Sequence, residues 1–374
     1  MKEGWSYKKL GEVCNIDFGT RVVRSRDAGS TYPVYGGGGE TFRMDTYNRE
    51  DCMVISRFGM SEQCTRFVKG KFFLNDSGLT LSMKKACMIQ TFMDWQILYL
   101  NNTIYSLGRG TAQKNLDTKA LAEVKLSYPD NFSEQHSIAS RLDTAFSHID
   151  ALKANAEKQL NEARKLFQAE LTECMRPKEG WEEKTLKEVG ITQTGTTPPK
   201  SDTSNYGEYI SFIRPAELNF DGMGGINYES EIKLSEKGVE RSRLIKANSI
   251  LMCCIGSVGK MGFSTKEVTC NQQINTITPK SNYSPKFVYY AMLDKKFLDD
   301  IIKEAKSAQA TLPIISKGKW ERHKIHVPYL VEQHSIVSHL DSLSSTIRKL
   351  EELQQKTLAE CDALKQAMLR EVFE

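Results

Sequence analysis

Glu134-Gln135-His136-Ser137-Ile138 returns unchanged as Glu332-Gln333-His334-Ser335-Ile336, and this duplication decides how the chain is organised. Each copy opens a long segment of helical periodicity. Each copy also follows a proline, Pro129 or Pro328, that ends a short apolar strand. A repeat at this spacing predicts two units in one chain, each made of a globular part and a long helix.

The duplication extends through the globular parts. The further matches are Gly4-Trp5 with Gly180-Trp181, Leu10-x-Glu12-Val13 with Leu186-x-Glu188-Val189, and Gly19-Thr20 with Gly195-Thr196. We therefore predict globular parts at residues 1–130 and 177–330, and long helices at residues 131–176 and 331–374. Such a repeat predicts pseudo-two-fold symmetry, which suits a target with two half-sites.

Both long segments carry apolar residues at steps of three and four, which is typical of a coiled-coil seam. The predicted seam residues are Ile138, Leu142, Ala145, Ile149, Leu152, Ala156, Ala163, Leu166 and Phe167 in the first helix, and Ile336, Leu340, Leu343, Ile347, Leu350, Gln354, Cys361, Leu364 and Met368 in the second. A helix of about 40 residues is roughly 60 Å long, too long for one small domain to cover. We therefore predict that the helices pair as an antiparallel coiled coil. One exposed helix per unit, or pairing with another chain, remains an alternative.

The globular parts predict an α/β or α+β fold in which short strands outnumber helices. The predicted strands are residues 52–58, 64–68, 71–74 and 79–83 in the first unit and 249–255, 260–264 and 275–278 in the second. A helix is predicted after each set, at residues 88–107 and 285–306. The loops between the shared motifs differ, which indicates one scaffold presenting two different surfaces.

Composition favours a cytoplasmic globular protein. The 374 residues are 40% hydrophobic and 26% charged, and no apolar run approaches the roughly 20 residues of a membrane span. The first ten residues lack the apolar core of a signal peptide. Nine scattered cysteines without a Cys-x-x-Cys pair indicate free thiols, and no metal site is expected.

The net charge of +4 is unevenly distributed along the chain. The predicted globular parts each carry +4, whereas the predicted helices carry −1 and −3. This division is typical of globular parts that contact a polyanion and helices that contact protein.

Motifs of familiar enzymes are missing. No glycine-rich loop ends in Gly-Lys-Ser/Thr, and the Asn/Asp/Ser-Pro-Pro-aromatic tetrad of amino-methyltransferases does not occur. Gly36–Gly39 lacks the third glycine of a dinucleotide fingerprint. A loose metal-nuclease pattern occurs three times, at Asp221 with Glu231 and Lys233, at Asp117 with Glu123 and Lys125, and at Asp294 with Glu304 and Lys306. Three matches in one chain show that this pattern has little specificity. No catalytic residue is predicted.

Polar and basic loop residues remain, and they suit nucleic acid. Arginine, asparagine and glutamine read base edges, whereas lysine and backbone amides hold phosphates. The candidate DNA contacts are Arg21, Arg24, Arg26, Tyr35, Gly37, Arg57 and Arg109 in the first unit, and Thr197, Lys200, Arg214, Asn219, Lys260 and Gln272 in the second. The alternative for each is an ordinary solvated surface residue.

These motifs, in this order and twice over, resemble the specificity subunit of type I restriction-modification enzymes. The resemblance covers essentially the whole chain. It rests on Glu-Gln-x-x-Ile at the helix starts, on Glu-Gly-Trp-x4-Leu-x-Glu-Val-x5-Gly-Thr, on Tyr32-Pro33-Val34-Tyr35 with Gly36–Gly39, on Ile250-Leu251-x3-Ile255-Gly256-Ser257-Val258-Gly259-Lys260, and on Asn271-Gln272-x-Ile274-Asn275.

The resemblance implies two target-recognition domains, each reading one half of a split double-stranded DNA site. It implies that the paired helices act as a spacer and dock two methyltransferase subunits, which restriction-translocase subunits join. S-adenosylmethionine, ATP and Mg²⁺ would then belong to the partner subunits, and this chain would be non-catalytic. Two other classes stay open, a coiled-coil adaptor that binds only protein and a metal-dependent nuclease that uses residues 221–233.

Overall fold

The computed structural model describes residues 4–85, 87–111, 113–219, 225–308 and 312–374. Lys2 and Glu3, which precede the repeated Gly-Trp pair, and Asp221 of the nuclease pattern lie outside these ranges. The chain divides into two compact units: unit 1 is Met1–Ala156 with Lys356–Glu374, and unit 2 is Glu157–Gln355. No helix within the described ranges combines the length and the hydropathy that a membrane span needs.

Unit 1 is built on a six-stranded sheet with the order β2-β7-β5-β6-β3-β4. The strands of this unit are β1 Trp5–Lys9, β2 Cys14–Phe18, β3 Tyr32–Tyr35, β4 Glu40–Met44, β5 Arg49–Ser56, β6 Thr65–Leu74, β7 Gly78–Met83, β8 Gly108–Arg109, β9 Asn115–Leu116 and β10 Lys125–Pro129. The helices are α1 Leu10–Val13, α2 Arg24–Asp27, α3 Gln90–Tyr99, α4 Asn101–Ser106, α5 Thr118–Ala122 and the long α6 Phe132–Cys174. The β3–β6 pair is parallel, whereas the other pairs of this sheet are antiparallel.

Unit 2 repeats this plan with two smaller sheets, ordered β12-β18-β15-β16 and β14-β13-β17. Its strands are β11 Glu182–Thr185, β12 Gly190–Thr194, β13 Tyr206–Ile213, β14 Lys233–Leu234, β15 Ile250–Cys253, β16 Met261–Phe263, β17 Thr269–Cys270, β18 Ile274–Pro279 and β19 Lys324–Val327. Its helices are α7 Leu186–Val189, α8 Glu236–Glu240, α9 Pro285–Leu293, α10 Lys295–Ala308, α11 Lys317–Trp320 and the long α12 Leu330–Phe373, with 3₁₀ turns at Thr203–Asn205 and Pro215–Glu217.

Two predicted strands of unit 1 are one strand in the structure. The separate strands predicted at residues 64–68 and 71–74 place a break at Gly70, but β6 continues through it. Gly70 has φ +76° and its N–H donates to the Asp51 carboxylate at 2.7 Å. The opposing strand shifts register between Glu50 and Cys52, so the glycine accommodates a β-bulge and does not end the strand.

The two predicted mid-domain helices are each broken in two. The first is α3 and α4, separated at Leu100, and the second is α9 and α10, separated at Asp294. Asp294 has an extended ψ and its side chain accepts the Lys296 N–H at 3.2 Å, so it ends one helix and starts the next. Apolar periodicity continues across both breaks, and periodicity alone therefore could not locate them.

Each unit contains an antiparallel pair of segments from α6 and α12. In unit 1, Lys153 binds Asp362 at 2.7 Å, and Asp150 binds Lys365. In unit 2, Arg164 binds Glu351 at 2.8 Å and Glu170 binds His339 at 2.9 Å. Within each unit the partner number falls on α12 as the number on α6 rises, which defines the antiparallel direction.

The apolar side of each helix pair differs from the predicted seam at several positions. Leu142, Ile149, Leu340 and Ile347 are buried, and Leu343 and Leu350 are half-buried. By contrast, Leu152 and Leu166 are each 57% exposed and Leu364 is 51% exposed, so they lie outside the helix interface. Phe146, Leu171 and Leu369 are buried instead, because α6 and α12 also pack against the globular part of their unit and bury a wider face than a two-helix seam.

Candidate nucleic-acid interface

Four loops meet at one edge of the unit 1 sheet, where β2, β3 and β5 end and β7 begins. We call residues 19–21, 36–39, 57–58 and 75–77 the loop edge of unit 1. The turn at residues 75–77 joins them: the Asn75 N–H donates to Tyr35 at 2.8 Å, the Thr20 N–H donates to Leu74 at 3.0 Å, and the Arg57 N–H donates to Ser77 at 2.8 Å. These backbone hydrogen bonds therefore fix the positions of the Cα atoms from which the side chains of this edge extend.

Glycine permits the closest of these approaches. A Cβ at Gly19 would overlap the Asn75 carbonyl, which explains why the Gly-Thr pair follows β2. Gly37, a candidate for DNA contact, is buried, and its N–H donates to the Ser77 hydroxyl at 3.0 Å. Gly38 and Gly39 are exposed, so within the glycine run these two are open to a ligand.

Arg57 lies on this edge between two aromatic rings. Its guanidinium carbon is 4.7 Å from the centre of the Phe18 ring and 4.5 Å from that of Phe58. The rings are 45% and 39% exposed. Among the described residues, Arg57 has no carboxylate within salt-bridge distance. Stacked rings hold the arginine in place while its donors stay available, a suitable arrangement for reading a base edge.

The other candidates of unit 1 differ in how their side chains are used. Arg26 binds Asp27 at 2.8 Å, and Arg109 binds Asp117. Arg21 and Arg24 are exposed, and within the described ranges neither has an acidic partner. The Tyr35 ring is partly buried and packs edge-on against Phe72, with ring centres 5.5 Å apart.

Unit 2 builds an equivalent edge with the same backbone hydrogen bonds. We call residues 195–197, 214–217, 254–256 and 271–273 the loop edge of unit 2. The Thr196 N–H donates to Cys270 at 2.9 Å, the Asn271 N–H donates to Ile213 at 3.1 Å, and the Cys254 N–H donates to Gln273 at 2.7 Å. A Cβ at Gly195 would overlap the Asn271 carbonyl, as at Gly19. The two edges therefore share one backbone frame.

The side chains on this frame differ between the units. By these hydrogen bonds Cys254 occupies the place of Arg57, and it is buried. Arg214 follows β13 as Gly36 follows β3, and it donates to Glu217 at 2.8 Å. Glu217 is only 5% exposed, so this pair organises the 3₁₀ turn.

The remaining candidates of unit 2 lie around that turn and around Asn271. Lys260 donates to the Pro215 carbonyl at 3.3 Å, and Thr197 donates to the Gln272 side chain at 2.5 Å. Lys200, Asn219 and Gln272 are exposed.

The acids of the loose nuclease patterns have other roles where the structure describes them. Asp117 accepts the N–H groups of Lys119 and Ala120 at the start of α5, and these bonds, with the nearby Arg109, lower the pKa of its carboxyl. Glu304 binds His323 at 2.9 Å. Glu231 is exposed and 3.8 Å from Arg214.

Two residues that organise the loop edge of unit 1 carry no signal that predicted them as DNA contacts. Asn75 and Ser77 were not among the candidates, although Ser77 links three loops. Its hydroxyl donates to the Asn75 side chain at 2.6 Å and accepts the Gly37 N–H, and its carbonyl accepts the Arg57 N–H. Asn271 and Gln273 form the matching turn, in which the Gln273 N–H donates to the Asn271 side chain at 3.1 Å. The sequence signal for this turn is an asparagine three residues before a strand, Asn75 before β7 and Asn271 before β18.

Comparison with known proteins gives matches along most of the chain. A family profile described as "Type I restriction modification DNA specificity domain" matches residues 2–162 and 178–359. The chain is 26% identical over 224 residues to the Type I restriction enzyme HindI specificity subunit of Haemophilus influenzae. That match covers 54% of this chain and 44% of the relative, so it spans under half of the relative's length.

Two solved structures are similar in fold. A chain from a structural study of complex assembly and conformational transition of the type I R-M system has a TM-score of 0.74 at 16% identity, covering 100% of this chain and 98% of that chain. The S subunit of a type I restriction-modification system from M. genitalium has a TM-score of 0.50 at 17% identity, covering 97% and 96%.

Proposed function

Because the chain belongs to the type I restriction modification DNA specificity domain family, we propose that it is the DNA-recognition subunit of a type I restriction-modification complex. Each unit reads one half of a split double-stranded DNA site. The observation that carries this proposal is the loop edge, built twice on the same backbone hydrogen bonds with different side chains. A shared frame with different side chains supports two readers of different sequence.

The partners follow from the same proposal. The chain is non-catalytic, and it docks two methyltransferase subunits, with restriction-translocase subunits completing the complex. S-adenosylmethionine, ATP and Mg²⁺ bind those partners. The long helices set the spacing of the half-sites and carry the docking surfaces. A cytoplasmic location, supported by nine free cysteines, belongs to this proposal.

Methylation sequencing tests this proposal directly. A host carrying this chain with its methyltransferase partner should show methylation at one bipartite motif. Exchanging residues 20–120 for those of a relative should change one half of the motif, and exchanging the equivalent part of unit 2 should change the other. A change in both halves from a single exchange would contradict one reader per unit.

A gel shift separates the alternative classes. The purified chain with its methyltransferase partner should retard DNA that contains the motif. An adaptor that binds only protein would leave the DNA unshifted, and a nuclease would cut it with metal in the absence of any partner.

A further inference from the structure

Three side chains that can ligate a metal converge in unit 2, and none of them belongs to the loop edge. Glu170 and Cys174 lie near the end of α6, and His339 lies on α12. Each offers one donor atom, and these atoms all lie within 4.8 Å of one another. His339 Nε2 is 2.9 Å from a Glu170 carboxylate oxygen.

The helix geometry brings these donors together. Glu170 and Cys174 are four residues apart, so their side chains share one helix face. In a tetrahedral zinc site with bonds of about 2.0–2.3 Å, donor atoms are about 3.3–3.8 Å apart. Small side-chain rotations would reach that spacing, since the His339 and Glu170 side chains are 55% and 39% exposed.

We propose that Glu170, Cys174 and His339 bind one Zn²⁺-class cation, with a water molecule as the fourth ligand. A thiolate, an imidazole and a carboxylate together suit zinc, whereas Mg²⁺ and Ca²⁺ take oxygen ligands. Binding releases the Cys174 thiol proton to solvent and uses the unprotonated Nε2 of His339. The ion links α6 to α12 within unit 2 and stabilises this helix pair.

The equivalent positions of the long helices in unit 1 do not carry three metal-ligating side chains. Aligned on the repeated Glu-Gln-His-Ser-Ile motif, the positions of His339, Glu170 and Cys174 hold Arg141, Met368 and Val372. The repeated architecture therefore does not require these three donors, and the cluster is specific to unit 2. An ordinary ion pair between Glu170 and His339 is the competing explanation, and it needs no cysteine.

Metal titration of the full-length chain, without a histidine tag, tests the site. We expect one Zn²⁺ per chain in competition with a chromogenic chelator, and a thiolate-to-metal absorption band when Co²⁺ is added. Cys174→Ser should abolish that band and weaken Zn²⁺ binding about tenfold or more. Loss of a residue that only hydrogen-bonds a metal ligand already costs about tenfold, and loss of the ligand itself should cost at least as much. Zn²⁺ should also raise the melting temperature of the wild-type chain and not that of Cys174→Ser.

Cys361→Ser is the matched control, because this buried cysteine of unit 1 lies on the other long helix and outside the cluster. It should bind Zn²⁺ as the wild-type chain does. If Cys174→Ser fails to fold, His339→Ala at an exposed position decides the question by the same affinity measurement. Absence of the Co²⁺ band, or equal Zn²⁺ affinity in the wild-type chain and the variant that folds, would overturn the proposal.

Discussion

The Gln135 side chain links the start of α6 to the rest of unit 1 by hydrogen bonds. Its side chain is fully buried. The amide oxygen accepts the Ile89 N–H at 2.8 Å, and the amide nitrogen donates to the carbonyls of Pro129 and Cys87 at 2.8 and 3.1 Å. One amide therefore satisfies three backbone groups where strand, loop and helix meet, which explains why the motif is repeated with its glutamine unchanged.

Gln333 has the same role in unit 2, where it accepts from Ser284 N–H at 2.8 Å and donates to Pro328 at 2.9 Å. Gln135→Ala or Gln333→Ala should each lower the free energy of unfolding by about 1–3 kcal/mol or more, because buried backbone groups lose their partners. Urea denaturation measures this loss. His136→Ala is the control, since His136 is exposed on the same helical turn. Equal effects of Gln135→Ala and His136→Ala would contradict the role of the buried amide.

Arg57 is the residue of unit 1 that we expect to contact a base. Arg57→Ala should weaken binding to the cognate site by about 1–3 kcal/mol, the contribution of one bidentate base contact. Fluorescence anisotropy with the proposed methyltransferase partner measures this, and Arg26→Ala is the control because Arg26 binds Asp27. If Arg57→Ala lost the same binding free energy on DNA with an altered unit 1 half-site, Arg57 would contact the phosphate backbone and not a base.

Asp94 gives unit 1 a pH dependence. It is 6% exposed, and burial raises the pKa of its carboxyl to about 7, outweighing the Gln90 hydrogen bond, which lowers it. Between about pH 4 and about pH 7 the folded state keeps a proton that the unfolded state has lost. Stability from this group is therefore greatest at acidic pH and falls as pH rises to about 7.

Asp94→Asn should remove this decline, which amounts to a few kcal/mol at roughly 1.4 kcal/mol per pKa unit. Urea denaturation at about pH 5 and about pH 8 compares the variant with the wild-type chain. Asp130→Asn, at an exposed position, should leave the decline intact. A wild-type decline that persists in Asp94→Asn would assign it to another group.

At the scale of elements, α6 and α12 pack through fewer leucines than their periodicity predicts. Ile347 is 3% exposed in unit 2, whereas Leu166, an equally plausible seam residue by spacing, is 57% exposed. Ile347→Asp should cost several kcal/mol, because it buries a charge without a partner. Leu166→Asp should cost little.

Thermal melting and assembly with the proposed methyltransferase partner measure both variants. A stable Ile347→Asp chain that still binds DNA would contradict the role of Ile347 in stabilising the α6–α12 pair. A Leu166→Asp chain as unstable as Ile347→Asp would show that the helix face is wider than the structure gives.

At the scale of the whole molecule, the length of the long helices can be tested as the determinant of half-site spacing. Deleting residues 156–162 together with residues 354–360 removes one heptad, about 10 Å, from each helix. At about 3.4 Å per base pair, the preferred spacer should shorten by up to about three base pairs, or binding should fail.

Binding to a set of DNA duplexes with different spacers measures this preference. The control changes exposed residues in the same heptads and keeps their length, and it should keep the original spacing. An unchanged spacer preference at unchanged affinity after the deletion would mean that helix length does not set the spacing.

Local patterns in the sequence determined the order of elements. The duplicated motif and the flanking prolines predicted two long helices at residues 131–176 and 331–374, and the structure has Phe132–Cys174 and Leu330–Phe373. The short strands before them, β10 and β19, were predicted because each is a short apolar run that ends at a proline. Helical periodicity and proline stops act over a few residues, so a sequence window contains them.

Only the tertiary structure decided which candidate side chains remain available at the loop edges. Arg57 and Arg214 are both arginines beside a strand end, yet one lies between two exposed rings and the other is bound to Glu217. Tertiary packing likewise buried Phe146 and left Leu152 in solvent. Burial and ring contacts depend on segments far apart in the chain, which no local pattern specifies.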